Sequence, residues 1–70
     1  MKIEWINGFE IHVNIVNNEV VLSANREGLL SLAGQLTLLA EAEPGSHIHY
    51  DENNSLEEGS SDMIIERMPG

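Results

Sequence analysis

The chain predicts an α+β domain in which a three-stranded antiparallel meander, one amphipathic helix and two further strands follow in the order βββαββ, with the helix on one face of a single sheet. Three observations lead there. Residues 9 to 15 alternate apolar and polar side chains, residues 29 to 40 repeat apolar side chains at three- and four-residue steps, and two short apolar stretches follow Pro44-Gly45.

In the first stretch Phe9, Ile11, Val13 and Ile15 alternate with Glu10, His12 and Asn14, the period-two signature of a strand covered on one face. Asn17-Asn18 supplies a two-residue hairpin loop, because Asn tolerates positive φ. Counting back from it pairs Ile15 with Val20, Val13 with Leu22 and Ile11 with Ala24, all on one face. At the preceding turn, a loop of Ile6-Asn7-Gly8 with Gly8 left-handed sets Trp5 opposite Phe9 and Ile3 opposite Ile11. This completes a meander over residues 2 to 24.

Asn25 suits an N-cap and Glu27 the positive end of a helix dipole. Leu29, Leu32, Ala33, Leu36, Leu39 and Ala40 then predict a helix of about four turns ending near Ala42, ahead of Pro44-Gly45. Gly28 and Gly34 each weaken it by about 1 kcal/mol relative to Ala, so packing must hold it, with Gly34 expected to allow close approach to the sheet. A strand from Ser46 to Asp51, a polar loop from Glu52 to Ser61 and a last strand from Asp62 to Met68 complete the chain. The run Met63-Ile64-Ile65 fits a strand covered on both faces or one that offers an apolar interface.

Seventy residues make one small domain, expected to bury only about 60% of the surface its unfolded chain exposes, which leaves little room for a catalytic cleft. With no cysteine, disulfides and thiolate zinc sites are excluded. No apolar run approaches the roughly 20 residues of a membrane span, and Met1-Lys2-Ile3-Glu4 is unlike a signal peptide, so a cytoplasmic protein with no membrane contact is expected. Twelve acidic residues face three basic ones for a net charge of −9, and no Lys or Arg lies between Glu27 and Glu66. Such a field repels nucleic acid, speeds encounter with basic partners and keeps a small protein in solution.

In a strand, His47-Ile48-His49-Tyr50-Asp51 sets both imidazoles and the carboxylate on one face. With His12 also on an outer sheet face, a zinc site of three nitrogens, closed by Asp51, is one reading; solvent-facing strand histidines are the default, and no metal or other cofactor is expected. The series Asp51, Asn53, Ser55, Glu57, Gly59, Asp62 follows an EF-hand count but has Leu56 where glycine is required and Asp62 where glutamate is. None of the serines sits in an activating elbow, and no phosphate loop is present, so no catalytic residues are assigned and an enzyme is not expected.

Asn25-Arg26-Glu27-Gly28-Leu29-Leu30-Ser31-Leu32-Ala33, Pro44-Gly45-Ser46-His47-Ile48-His49-Tyr50-Asp51, Ser55-Leu56-Glu57-Glu58-Gly59-Ser60 and Ile64-Ile65-Glu66 together resemble the immunity protein 32 family over roughly residues 22 to 67. The resemblance implies an antidote of a bacterial polymorphic toxin system, whose partner is a cognate protein toxin. The charge agrees in kind, since an acidic surface suits a toxin with a basic active site, such as a nuclease. Asp51, Glu52, Glu57, Glu58 and Asp62, with His47 and His49 beside them, are the expected toxin-facing patch; a solvated loop beside a polar sheet face is the plain alternative. Two other classes compete. One is a small acidic interaction or regulatory module, homodimeric through the edge of the last strand, which a neighbouring toxin gene would argue against. The other is a histidine-based metal-binding domain, which a zinc titration of the His47 and His49 ring signals would reveal.

Overall fold

The computed structural model describes residues 1–70. Five elements follow in the order ββαββ: β1 (Ile11–Val16), β2 (Glu19–Ala24), α1 (Arg26–Glu41), β3 (His47–Tyr50) and β4 (Met63–Glu66). They form two separate two-stranded antiparallel sheets, β1-β2 and β3-β4, and this overturns the expected meander and single sheet. Ile11, Val13, Leu32, Leu39, Ile48, Tyr50 and Leu56 make a common core, with Ile3, Trp5, Phe9, Leu22, Ala24, Met63 and Ile65 packed against it.

The first hairpin has the register its alternation implies, Ile11 opposite Ala24, Val13 opposite Leu22 and Ile15 opposite Val20. Asn17 (φ 51°) and Asn18 (φ 68°) both take the left-handed conformation of a tight turn that matches strand twist. The hairpin overhangs the core, however: Ile11 and Val13 are buried, whereas Ile15 and Val20 at its tip are 65% and 70% exposed.

Residues 2 to 6 do not form the predicted strand. The turn after them is present, with the Phe9 N–H donating to the Ile6 carbonyl at 3.1 Å and Gly8 at φ 90°, and Trp5 stacks on Phe9 with ring centroids 4.3 Å apart. The backbone of this segment is instead claimed by the helix. Ser31 Oγ accepts from the Ile6 N–H (2.9 Å) and donates to the Glu27 carbonyl (2.7 Å), and Gln35 Nε2 donates to the Glu4 carbonyl (2.9 Å). Groups spent on side chains are not available for a ladder with β1.

Tyr50 extends this network. Its hydroxyl donates to Gln35 Oε1 at 2.7 Å while its ring meets Trp5 edge-on at 6.2 Å, so one tyrosine joins β3, the helix and the N-terminal segment. Burial pushes the phenol above its ordinary value of 10.0, which keeps the hydroxyl protonated and donating.

Asn25 caps the helix as expected and also fastens it to the hairpin. Its Oδ1 accepts from the N–H groups of Gly28 (2.8 Å) and Glu10 (2.9 Å), and its Nδ2 donates to the Gly8 carbonyl (2.9 Å). The buried stripe is Gly28, Ser31, Leu32, Gln35 and Leu39; of the expected stripe Leu32 and Leu39 are buried, whereas Ala33 and Ala40 are exposed and Leu29 and Leu36 are 53% and 46% exposed. The close approach occurs at Gly28, where a Cβ would lie 2.7 Å from the Glu10 carbonyl oxygen, and not at Gly34, which has nothing within 4 Å.

Candidate functional site

Strand alternation decides where the two histidines of β3 go. Ile48 and Tyr50 are buried, so His47 and His49 face outward. Pairing with β4 sets His47 opposite Glu66 and His49 opposite Ile64, and all four side chains are exposed on the outer face of the second sheet. The two imidazoles meet edge-on, with centroids 4.9 Å apart. Ile64, 59% exposed, gives this polar face an apolar centre, while Met63 and Ile65 turn towards the core.

The loop from Asp51 to Asp62 is an ordered structure with its own hydrogen bonds. Asp51 Oδ1 accepts from the N–H groups of Asn53 (2.8 Å) and Asn54 (3.1 Å), and its carbonyl accepts from Asn54, Ser55 and Leu56. Asn54 returns to β3 through Nδ2 to the His49 carbonyl (3.1 Å), and Leu56 plugs into the core at 4% exposure. Glu52 Oε2 accepts from the Gly59 N–H (2.7 Å), closing the loop on itself.

Its second half runs along the free edge of β1. The Glu57 N–H donates to the Ile11 carbonyl (2.9 Å), the Val13 N–H to Ser60 Oγ (3.1 Å) and the Ser61 N–H to the Val13 carbonyl (2.7 Å). These three bonds tie the loop to the first sheet and fix the backbone from Glu57 to Ser61. They also bring Glu57 to Glu10 and His12, whose ligand atoms all lie within 4.8 Å of one another.

The seven candidate residues therefore divide. Asp51 and Glu52 hold the loop together with their carboxylates. Glu57 faces the start of β1, Glu58 and Asp62 project into solvent, and His47 and His49 occupy the sheet face. The Arg26 ion pair with Glu27 (3.7 Å) and the contact of His12 Nε2 with Glu10 Oε2 (3.1 Å) involve none of the loop acids. The three histidines, weighed as one metal set, lie in different sheets, His12 in the first and His47 and His49 in the second. Sequence reasoning missed Glu10, Ile64 and Glu66. The alternation of β4 marks Ile64 and Glu66, but no periodic signal shows that the loop docks on β1 and carries Glu57 to Glu10.

A second concavity, an open groove of about 350 Å³, lies between the N-terminal segment and the helix, lined by Trp5, Ile6, Leu30, Gly34 and Leu38 above Ser31 and Gln35. Its polar floor is already engaged by the Ile6, Glu27, Glu4 and Tyr50 hydrogen bonds, and Glu4 is its one ionisable residue. No helix of the protein is long and apolar enough to cross a membrane.

A family model described as Immunity protein 32 matches residues 19–68, well over half of the chain. The chain belongs to the immunity protein 32 family. Membership gives it an immunity role against a toxin, and the match takes in the helix, both strands of the second sheet and the whole acidic loop. The N-terminal segment and β1, on which the helix and loop are anchored, lie before it. No curated protein and no solved structure matches the chain.

Proposed function

We propose that this immunity protein neutralises a cognate polymorphic toxin in the cytoplasm by binding it, with no bond-making chemistry of its own, through the acidic loop and the outer face of the second sheet. The observation that carries the reading is the fixed acidic loop: its backbone is hydrogen-bonded to β1, and none of its acids pairs with a lysine or arginine. A loop backbone held in place loses little freedom on binding, and a field of one sign steers a basic partner.

Glu57, Glu58 and Asp62 are the residues that meet the toxin's basic groups, with His47, His49 and Ile64 supplying a flatter contact beside them. Asp51 and Glu52 act through the loop they shape. A toxin of basic surface, such as a nuclease that expects phosphates, fits this pattern.

Measuring association with the purified toxin by stopped flow tests it. Replacing Glu58 and Asp62 together with Lys should lower the association rate constant about tenfold at low salt, with the difference shrinking as salt is added. An unchanged rate at low salt would remove the loop from the mechanism.

A further inference from the structure

The helix exposes a run of apolar side chains on the side turned away from the core. From Gly28 to Ala40 it carries no ionisable residue, and the side turned away from the core exposes Leu29, Leu30, Ala33, Leu36, Thr37 and Ala40. Thr37 satisfies its hydroxyl on the Ala33 carbonyl (3.0 Å) and so adds only its methyl group to this face. An apolar stripe belongs against another element, and here the buried stripe on the opposite side is already used by the core.

What covers the outer face can be read from its charges. Arg26 and Glu41 stand on it at the two ends of the helix, equidistant from the Ala33-Gly34 peptide at its middle. The last turn has no base of its own and the Arg67 guanidinium at this end is bonded to the Ala42 carbonyl, so Glu41 has no ion-pair partner, and the Arg26 pair with Glu27 is long and 78% exposed on the arginine side. A net charge of −9 disfavours contact between copies, and this face carries no ionisable residue from Gly28 to Ala40.

We infer that this face binds a second copy of the chain, helix against antiparallel helix about a two-fold axis at Ala33-Gly34. The symmetry pairs Arg26 of each copy with Glu41 of the other, twice, and lays each helix N-terminus beside the other's C-terminus. Small residues lie at the axis, where Gly34 has nothing within 4 Å, so the backbones approach closely, and Leu30 meets Thr37 of the second copy. A wholly basic partner would be repelled by Arg26 and a wholly acidic one by Glu41, whereas the copy offers the matching order by symmetry. Tyr50 bonds to the helix while His47 and His49 point away from it, so this contact leaves the proposed toxin-binding face open.

A helix of this length gives a contact at the small end of the interface scale, so the dimer is expected to dissociate in the micromolar range. Sedimentation equilibrium of the full chain, from about 1 µM to 1 mM, should show a reversible monomer–dimer equilibrium. Arg26→Glu and Glu41→Arg should each raise the dissociation constant about tenfold or more, and the double swap should restore it to within about threefold. Both residues are exposed, and circular dichroism checks that each variant remains folded. A chain that stays monomeric throughout, or a dimer that neither single swap weakens, overturns the inference, as does a helix face that becomes covered only when toxin is added.

Discussion

Gly28→Ala should destabilise the protein by about 1–2 kcal/mol, although alanine is the better helix former by about 1 kcal/mol. The reason is the contact at the start of α1. The new methyl carbon would lie 2.7 Å from the Glu10 carbonyl oxygen, 3.0 Å from Ile11 Cγ1 and 3.1 Å from Ala24 Cβ. That carbonyl cannot retreat freely, because it also accepts the Asn25 N–H at 3.1 Å. The helix must move off the hairpin, straining the Asn25 bonds to Gly28, Glu10 and Gly8 as it goes. Gly34→Ala meets nothing within 4 Å, so there the helix-propensity gain of up to about 1 kcal/mol should appear. Urea unfolding of the two variants at one concentration should shift the midpoint in opposite directions. Equal shifts would mean that the close approach at Gly28 does not hold the helix.

Gln35→Met should cost about 2–4 kcal/mol, a large part of the roughly 4–10 kcal/mol expected for a domain this small. Gln35 is 1% exposed, accepts the Tyr50 hydroxyl through Oε1 and donates to the Glu4 carbonyl through Nε2. Methionine is similar in size, so the loss arises mainly from two polar groups left without partners rather than from a cavity. Tyr50→Phe removes one of those orphans, so the double variant should be no less stable than Gln35→Met alone. Thermal unfolding of the two single variants and the double variant reads the coupling. Strict additivity would show that Gln35 and Tyr50 act independently.

Elements governed by local rules were legible in the sequence. Apolar alternation, Asn17-Asn18 and the cap at Asn25 depend on neighbours a few residues away, and the first hairpin's register and the helix start follow from them. The first strand failed because its backbone partners, Ser31 and Gln35, lie 25 and 31 residues on and are polar; nothing near residues 2 to 6 reveals that their hydrogen bonds go there. The same two residues misled the reading of the helix. Leu32 and Leu39 are inside as their spacing implies, but leucines also occur on the outer side, and Gly28, Ser31 and Gln35 complete the buried stripe.

At the candidate site, alternation sufficed to turn His47 and His49 outward. The carboxylates needed more. An Asx turn at Asp51 has a local signal in Asn53 and Asn54, so its structural use was open to inference, whereas the Glu52 bond to Gly59 and the docking of residues 57 to 61 on β1 depend on tertiary contact.

An NMR titration of the isotopically labelled chain with its purified toxin shows whether the acidic loop and the β3-β4 face form the binding surface. The amide signals of residues 57 to 62 and the His47 and His49 ring signals should shift or broaden first and most. Changes confined to the exposed hairpin tip around Ile15 and Val20, with the loop and both imidazoles undisturbed at saturation, would contradict that placement.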